Sequence, residues 1–235
     1  MPGVHVVNLQ ISLIVMAAHY HFSFANYYDR DKNGFLPLLV WNDDCIQPGT
    51  GFAMHSHMDM EIITYIRQGA ITHEDNLGNK GVIQAGEIQI MSAGTGITHS
   101  EYNHEGEETL LFQIWVQPQE NNLIPKWGNI NINIDQTMGI RALVSGENKF
   151  VNSGLLKIHQ DATLYVVTGN VDHPMEYQLE AHRHIYLIVE KGNVKINNNY
   201  AQLRDGIRIF KEKSINFIFD GDTELILLDL PILEN

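Results

Sequence analysis

An all-β fold in two barrel-like halves is what this sequence predicts. Three observations lead there: short apolar runs broken by Gly, Asn or Asp, no long stretch with the 3.6-residue period of an amphipathic helix, and a second half that repeats the first.

Taken in order, "EIITYI", "GVIQAGEIQIM", "TLLFQIWV", "LLKIHQDATLYVV", "HIYLIVEKGNVKIN", "IRIF", "INFIFDG" and "ELILLDL" read as strands. Ahead of them, "ISLIVMAA" at Ile11–Ala18 is long enough to suggest the apolar part of a secretion signal. The first basic residue is only Arg30, however, and so short a run cannot span a bilayer. It reads as a buried strand. The stretch richest in Pro, Asn and Gln, "QPQENNLIPKWGN" at Gln117–Asn129, is the expected linker, which places an N-terminal half at 1–122 and a C-terminal half at 123–235. Laying "EIITYIRQGAITHE…GVIQAGEIQIM" over "HIYLIVEKGNVKIN…AQLRDGIRIF" sets Gly69 on Gly192 and Gly86 on Gly206, with a shorter hairpin in the second copy.

Composition narrows the function classes. Apolar residues make up 44% and charged residues 18%, as expected of a chain with a packed core rather than a disordered one. Such a chain buries roughly 70–75% of its unfolded surface, enough for an enclosed site. The formal charge of −13, with no basic cluster, disfavours contact with nucleic-acid phosphates. One cysteine, Cys45, excludes an intrachain disulfide and a thiolate-rich zinc site, and suits a reducing, cytoplasmic setting.

Candidate chemistry centres on "GFAMHSHMDME", residues 51–61. Side chains alternate along a strand, so His55 and His57 share a face, and in "GTGITHSEYN" so do His99 and Glu101. Imidazoles and a carboxylate gathered in a dry interior cost about 1–3 kcal/mol for each group left without a partner. A divalent cation supplies that partner. Nitrogen and oxygen ligands suit Fe(II), Mn, Co, Ni, Cu or Zn, and four protein ligands on a six-coordinate ion leave two positions open. Glu61, in place of Glu101, also has the parity to be the acidic ligand.

The spacing carries more than the pair does. Gly49 precedes His55 and His57, Glu61 follows, and "GEIQIMSAGTGITHSEYN" brings Gly86, "SAG", His99 and Asn103. These two patterns resemble the paired motifs of the cupin superfamily. The fuller wording, "HFSFANYYD", "NDDCIQPGTGFAMHSHMDMEIITYI", "GEIQIMSAGTGITHSEYNHE" and "QIWVQP", resembles the pirin family of bicupins, from about residue 20 through Pro118 and more weakly to "ELILLDLP". The resemblance implies two cupin-type, jelly-roll-like barrels packed as a bicupin. It also implies one metal, usually iron, held in the N-terminal barrel by His55, His57, His99 and Glu101. The "HSE" wording favours Glu101 over Glu61.

In the second half, "EAHRHIYLIVEKG" offers a further HxH, His182 and His184. Counting back from the matched glycines, the equivalents of His55 and His57 are Gln178 and Glu180, and those of His99 and Glu101 are Phe219 and Gly221. The second HxH is out of register, so a C-terminal barrel lacking metal ligands is expected. Other features have plain readings. His73, His104 and His159 stand singly among polar residues and read as exposed; "FSFANYY" reads as core aromatics; Met54, Met58 and Met60 could wall an apolar pocket or simply pack.

A divalent ion with one glutamate and neutral histidines carries a net charge of about +1, which favours an anionic chelator such as a deprotonated flavonol. The pirin resemblance implies a metal-dependent quercetin 2,3-dioxygenase activity, with Glu101 as ligand or as the general base for the substrate hydroxyl. It implies, as the alternative, a metal-binding regulator that acts through a protein partner. A sugar isomerase on the same scaffold ranks below both, because no Lys and Arg cluster stands near the motifs. One departure is the segment 1–18, "MPGVHVVNLQISLIVMAA", which is almost uncharged where pirins are charged.

Overall fold

The computed structural model describes residues 3–7, 10–14, 16–132 and 137–233. In chain order its strands are β1 (Gly3–Val7), β2 (Gln10–Ile14), β3 (Met16–Tyr20), β4 (Leu38–Ile46), β5 (Gly51–His57), β6 (Glu61–Gln68) and β7 (Ala70–Asp75). There follow β8 (Lys80–Gln84), β9 (Glu87–Ser92), β10 (Ile97–Tyr102), β11 (Thr109–Val116), β12 (Lys126–Asn131), β13 (Gly139–Ser145) and β14 (Thr163–Gly169). The last are β15 (Met175–Gln178), β16 (Arg183–Lys191), β17 (Asn193–Ile196), β18 (Asn199–Gln202), β19 (Gly206–Phe210), β20 (Ser214–Phe219) and β21 (Thr223–Pro231). Two short 3-10 turns, Arg30–Lys32 and Asn148–Phe150, complete the regular structure among the described residues.

Two compact units result, one of Gln10–Asn133 with Leu156–Gln160 and one of Met1–Leu9, Ile134–Leu155 and Asp161–Asn235. The first unit pairs a sheet ordered β12-β9-β6-β11-β4-β3-β2 with one ordered β5-β10-β7-β8. The second pairs β1-β19-β16-β21-β14-β13 with β15-β20-β17-β18. The run β9-β6-β11-β4 therefore recurs as β19-β16-β21-β14, and the whole smaller sheet recurs as well. The fold is all-β and each unit is a cupin-type barrel, as the sequence predicts.

The matched glycines explain why the repeat is visible. Gly69 and Gly192 both close the first turn after the long central strand with positive φ, 74° and 75°. A Cβ on Gly69 would meet Thr109 Oγ1 at 2.7 Å, and one on Gly192 would meet Thr223 Oγ1 at 2.6 Å. Backbone conformation and close packing demand glycine twice for the same reason.

Three differences from the sequence reading concern edges. The run at 11–18 belongs to two strands, β2 and β3, paired Ile14↔Met16, a reversal that no Gly or Pro marks in the sequence. The second part of the expected linker is strand β12, laid along β9. Conversely β1 lies along β19 in the second unit. A division at residue 122 thus assigns both edge strands to the other half. An uncovered sheet edge is a row of unpaired backbone groups, and each barrel covers its β9 or β19 edge with a strand distant in sequence.

The interiors differ in kind. In the second unit one apolar cluster runs through the barrel, including Leu187, Val194, Ile207, Ile215, Phe217 and Leu227. The apolar clusters of the first unit include Ile46, Ile66, Ile71, Ile83 and Leu111 at one level and Ile62, Met91, Ala93 and Ile97 at another. On the shared face of β6 the residue between Ile62 and Ile66 is Thr64, and on β11 the residue between Leu111 and Trp115 is Gln113, both buried. A polar layer separates the two apolar ones, and it is there that chemistry is possible.

Candidate metal centre

Strands β5 and β10 run antiparallel with His55 opposite His99 and His57 opposite Ile97. Past that point the register slips by one, so that Glu101 lies opposite Phe52. The extra residue on β5 is a bulge, a device that re-aims side chains. The rings of His55 and His57 lie 4.7 Å apart, those of His55 and His99 4.5 Å, and those of His57 and His99 5.2 Å. Their candidate ligand nitrogens all fall within 4.8 Å of one another.

Hydrogen bonding selects the nitrogens that face a common point. His55 Nδ1 lies 2.7 Å from the Ala53 carbonyl, which can only accept, so Nδ1 carries the proton and Nε2 offers a lone pair. His99 Nε2 is buried and has no hydrogen-bond partner among the described residues. A buried polar atom without a partner costs about 1–3 kcal/mol, and a cation coordinated there removes that cost. Burial, with His55, His73 and His57 nearby, pushes His99 down to about 3. Burial and His55 push His57 down to about 4. Both imidazoles are therefore neutral near pH 7, the form that ligates a metal. The residues present fit a divalent ion.

Glu101 is buried behind them. Its Oε1 accepts from Gln89 Nε2 at 2.5 Å and its Oε2 from Gln113 Nε2 at 2.8 Å. Each amide is oriented in turn by an indole that can only donate: Trp127 Nε1 to Gln89 Oε1 at 2.9 Å, and Trp115 Nε1 to Gln113 Oε1 at 3.1 Å. Burial pushes the Glu101 carboxyl up to about 7, against the pull of the hydrogen bonds from Gln89, Gln113 and Thr64.

The four residues singled out from the sequence do not form one set. His55, His57 and His99 make one group, and Glu101 joins His99 in an overlapping group whose third member is His73. Glu61 is in neither group; it is buried and accepts from Ser92 Oγ at 2.7 Å. Burial pushes its carboxyl up to about 7, with Ser92 the largest opposing influence.

His73 overturns its expected exposure. It is fully buried on β7, opposite Glu101 on β10, with Nε2 3.1 Å from Asp75 Oδ2 and its ring stacked on Trp127 at 5.0 Å. A period-two count from the buried Ile71 places His73 and Asp75 on the inner face, a signal that reading His73 alone misses. Of the other two single histidines, His104 is exposed and His159 half-buried. In the "FSFANYY" segment Phe22 is core but Tyr28 is 74% exposed. Met54 and Met58 are exposed beside the histidines, while Met60 packs against the upper apolar cluster. Trp115 meets the His57 ring edge-on at 4.9 Å.

The second barrel corrects the register counted from the glycines. Strand β15 pairs Met175 with Phe217 and Tyr177 with Ile215 on β20. Glu101 lies opposite His73 and Phe217 opposite Ile196, His73 and Ile196 each four residues past the matched glycine, so the counterparts of His55, His57, His99 and Glu101 are Tyr177, Leu179, Ile215 and Phe217. Gln178 and Glu180 are exposed, and Gly221 lies in the turn beyond β20. The loops between these strands differ in length between the halves, so a count along the chain loses the register. His182 is exposed beside Glu180, and His184 is buried on β16. Among the described residues no helix is long and apolar enough to cross a membrane.

Comparison with known proteins agrees with this architecture. The Pirin family profile matches residues 6–116, and the profile of the quercetinase C-terminal cupin domain matches residues 143–230. The chain is 45% identical over 211 residues to a quercetin 2,3-dioxygenase of Escherichia coli K12, covering 89% of each chain. It is 44% identical over 215 residues to a pirin-like protein of Caulobacter vibrioides, covering 91% of this chain and 92% of that one. Among solved structures, the bacterial pirin YhhW of Escherichia coli in complex with nickel(II) superposes with a TM-score of 0.92 at 39% identity, covering 98% of this chain and 100% of the other. The chain is a member of the pirin family.

Proposed function

We propose that this pirin is a metal-dependent flavonol dioxygenase of the quercetin 2,3-dioxygenase type, with one divalent ion held by His55, His57 and His99 and with Glu101 as ligand or proton acceptor. The observation that carries the reading is the convergence of three imidazoles, with His99 Nε2 buried among them without a partner. The names of the relatives support the reaction class, and the nickel complex of the similar Escherichia coli protein supports a bound divalent metal. We take Fe(II) as the resident ion, with Ni, Co, Mn, Cu or Zn able to enter the same donor set. When bound, the ion supplies charge to an enolate oxygen and open positions for substrate and dioxygen.

The chain's own residues do the rest. Trp115, Phe52 and the exposed Met54 and Met58 offer apolar surface for aromatic rings beside the histidines. Glu101, raised to about 7, is matched to taking the proton of a flavonol 3-hydroxyl near neutral pH. Its two amide partners stabilise the ionised form until that proton arrives. Cys45 is the single cysteine, which suits a reducing, cytoplasmic setting.

The test is aerobic turnover of quercetin by protein loaded separately with iron, nickel or cobalt, following substrate loss and carbon monoxide release. Activity with at least one ion, lost together with the metal in His99→Ala, is expected. Absence of turnover with all three overturns the reading.

A further inference from the structure

We propose that Asp75 and His73 form a hydrogen-bonded relay that sets the tautomer of His99 and so decides which of its nitrogens is offered to a metal. The inference rests on the three-histidine centre proposed above and assigns a positioning role to two residues outside it.

The relay follows from counting protons. Asp75 is buried beside His73, and its Oδ1 accepts the backbone N–H groups of Leu77 and Asn79, at 3.0 and 2.9 Å. Its Oδ2 accepts from Asn79 Nδ2 at 2.9 Å and faces His73 Nε2 at 3.1 Å. A carboxylate so supplied with donors only accepts, so the single proton of a neutral His73 sits on Nε2 and its Nδ1 is bare. That bare nitrogen lies 3.4 Å from His99 Nδ1, at the long end of hydrogen-bond range. Two bare nitrogens facing each other in a dry interior repel, so the proton of His99 belongs on Nδ1. His99 Nε2 is left as the lone pair, and it is that atom which lacks a partner.

The fold holds this order firmly. Asp75 and His99 lie opposite each other on β7 and β10. Trp127 stacks on His73 with ring planes 14° apart. Gly81, opposite His73 on β8, leaves room for that indole: a Cβ there would meet Trp127 Cη2 at 2.6 Å. His55 reaches the same tautomer by a different partner, the Ala53 carbonyl. Ligand histidines are commonly oriented by an acceptor on the other ring nitrogen, and losing it weakens metal binding about 10–100-fold. Here the acceptor for His99 is another histidine, and Asp75 sets its polarity.

Asp75→Asn tests that polarity directly. The amide keeps Oδ1 for the turn but places an NH2 where Oδ2 faced His73 Nε2. The proton of His73 then moves to Nδ1 and that of His99 to Nε2, blocking the ligand position. Nitrogen-15 NMR of imidazoles in the metal-free wild type is expected to show His99 protonated on Nδ1 and His73 on Nε2, and the reverse in Asp75→Asn. Competition with a chelating dye for Ni(II) is expected to show binding about 10–100-fold weaker in Asp75→Asn and His73→Phe. His73→Asn, whose side-chain oxygen can replace Nδ1 as acceptor, recovers part of the loss.

A wild type with His99 protonated on Nε2 overturns the relay even if no variant folds. Folded variants that bind Ni(II) as tightly as wild type overturn it too. A wild type that takes up no Ni(II) overturns both this role and the metal centre, whereas Ni(II) binding without quercetin turnover overturns the proposed reaction alone.

Discussion

Gln113 Nε2 lies 2.8 Å from Glu101 Oε2, and its amide cannot turn round, because Gln113 Oε1 is already taken by the Trp115 indole N–H. Gln89 and Trp127 repeat the arrangement on the other carboxylate oxygen. A buried glutamate is thus met on both sides by donors whose orientation is fixed by groups that can only donate.

Removing one donor should therefore raise the carboxyl of Glu101 further. A hydrogen bond to a charged group contributes about 1.5–3 kcal/mol, equivalent to about one to two pH units. In metal-free Gln113→Leu, carbon-13 NMR of the Glu101 carboxyl is expected to titrate that far above the wild-type midpoint of about 7. Trp115→Phe, which frees the amide without deleting it, is expected to move the midpoint in the same direction by less. An unchanged midpoint in Gln113→Leu would show that the amide does not act on the charge.

Asp44 supplies a pH dependence of stability. It is buried on β4, Oδ2 has no hydrogen-bond partner among the described residues, and burial, with Asp43 and Glu101 nearby, pushes its carboxyl up to about 8. A carboxyl raised in the folded state contributes fully below its unfolded value near 4, and that contribution is lost as pH rises to 8. Asp44→Asn is expected to flatten the fall in urea midpoint between pH 4 and 8. It is also expected to be the more stable protein at pH 9 by a few kcal/mol, since a tenfold change in proton affinity corresponds to about 1.4 kcal/mol. Parallel pH profiles for the two proteins would contradict this.

Gly81→Ala probes the seat of Trp127. The added methyl collides with a half-buried indole that cannot retreat without losing its stacking on His73 and its bond to Gln89. Overpacking of this kind costs about 1–3 kcal/mol. A lower melting temperature with a red-shifted tryptophan emission is expected; a melting curve identical to wild type would mean the indole has room to spare.

In the second unit, Arg183 donates from Nε to Asp229 Oδ1 at 2.6 Å and from Nη1 to Asp161 Oδ2 at 3.1 Å, and Tyr177 Oη donates to Asp229 Oδ2 at 2.5 Å. Arg183→Leu strands a buried carboxylate, which costs about 3–5 kcal/mol. The double variant Arg183→Leu with Asp229→Leu is expected to recover most of that loss in urea unfolding. Additive losses in the double variant would refute the coupling.

Much of the fold was legible in the sequence because strand period and turn chemistry are local. The run at 109–116 is a single strand to the residue, and Gly69 and Gly192 mark the repeat through a backbone conformation that few other residues adopt. The edge strands were not legible. Nothing in the runs at 3–7 or 126–131 states which distant edge each will cover.

The site divides along the same line. Alternation along β5 and β10 put His55 beside His57, and His99 beside Glu101, without reference to any other strand. It could not say that Glu101 would fall on the far side of a bulge, in reach of His73 and His99 rather than of all three histidines. Nor could it single out Thr64, Gln89 and Gln113, whose importance lies in meeting one carboxylate from three different strands.

The class of the protein, with its two β-barrels, its family and a strand pair bearing histidines, can therefore be read from the chain without coordinates. Those properties depend on periods and spacings within single segments. Folding settles the rest: which carboxylate stands near which imidazole, why His73 is buried, and why the second barrel is filled by Tyr177, Leu179, Ile215 and Phe217 where the first carries histidines and a glutamate. Proton positions, burial and hydrogen-bond polarity depend on groups brought together from distant segments, and only the closed barrel brings them together.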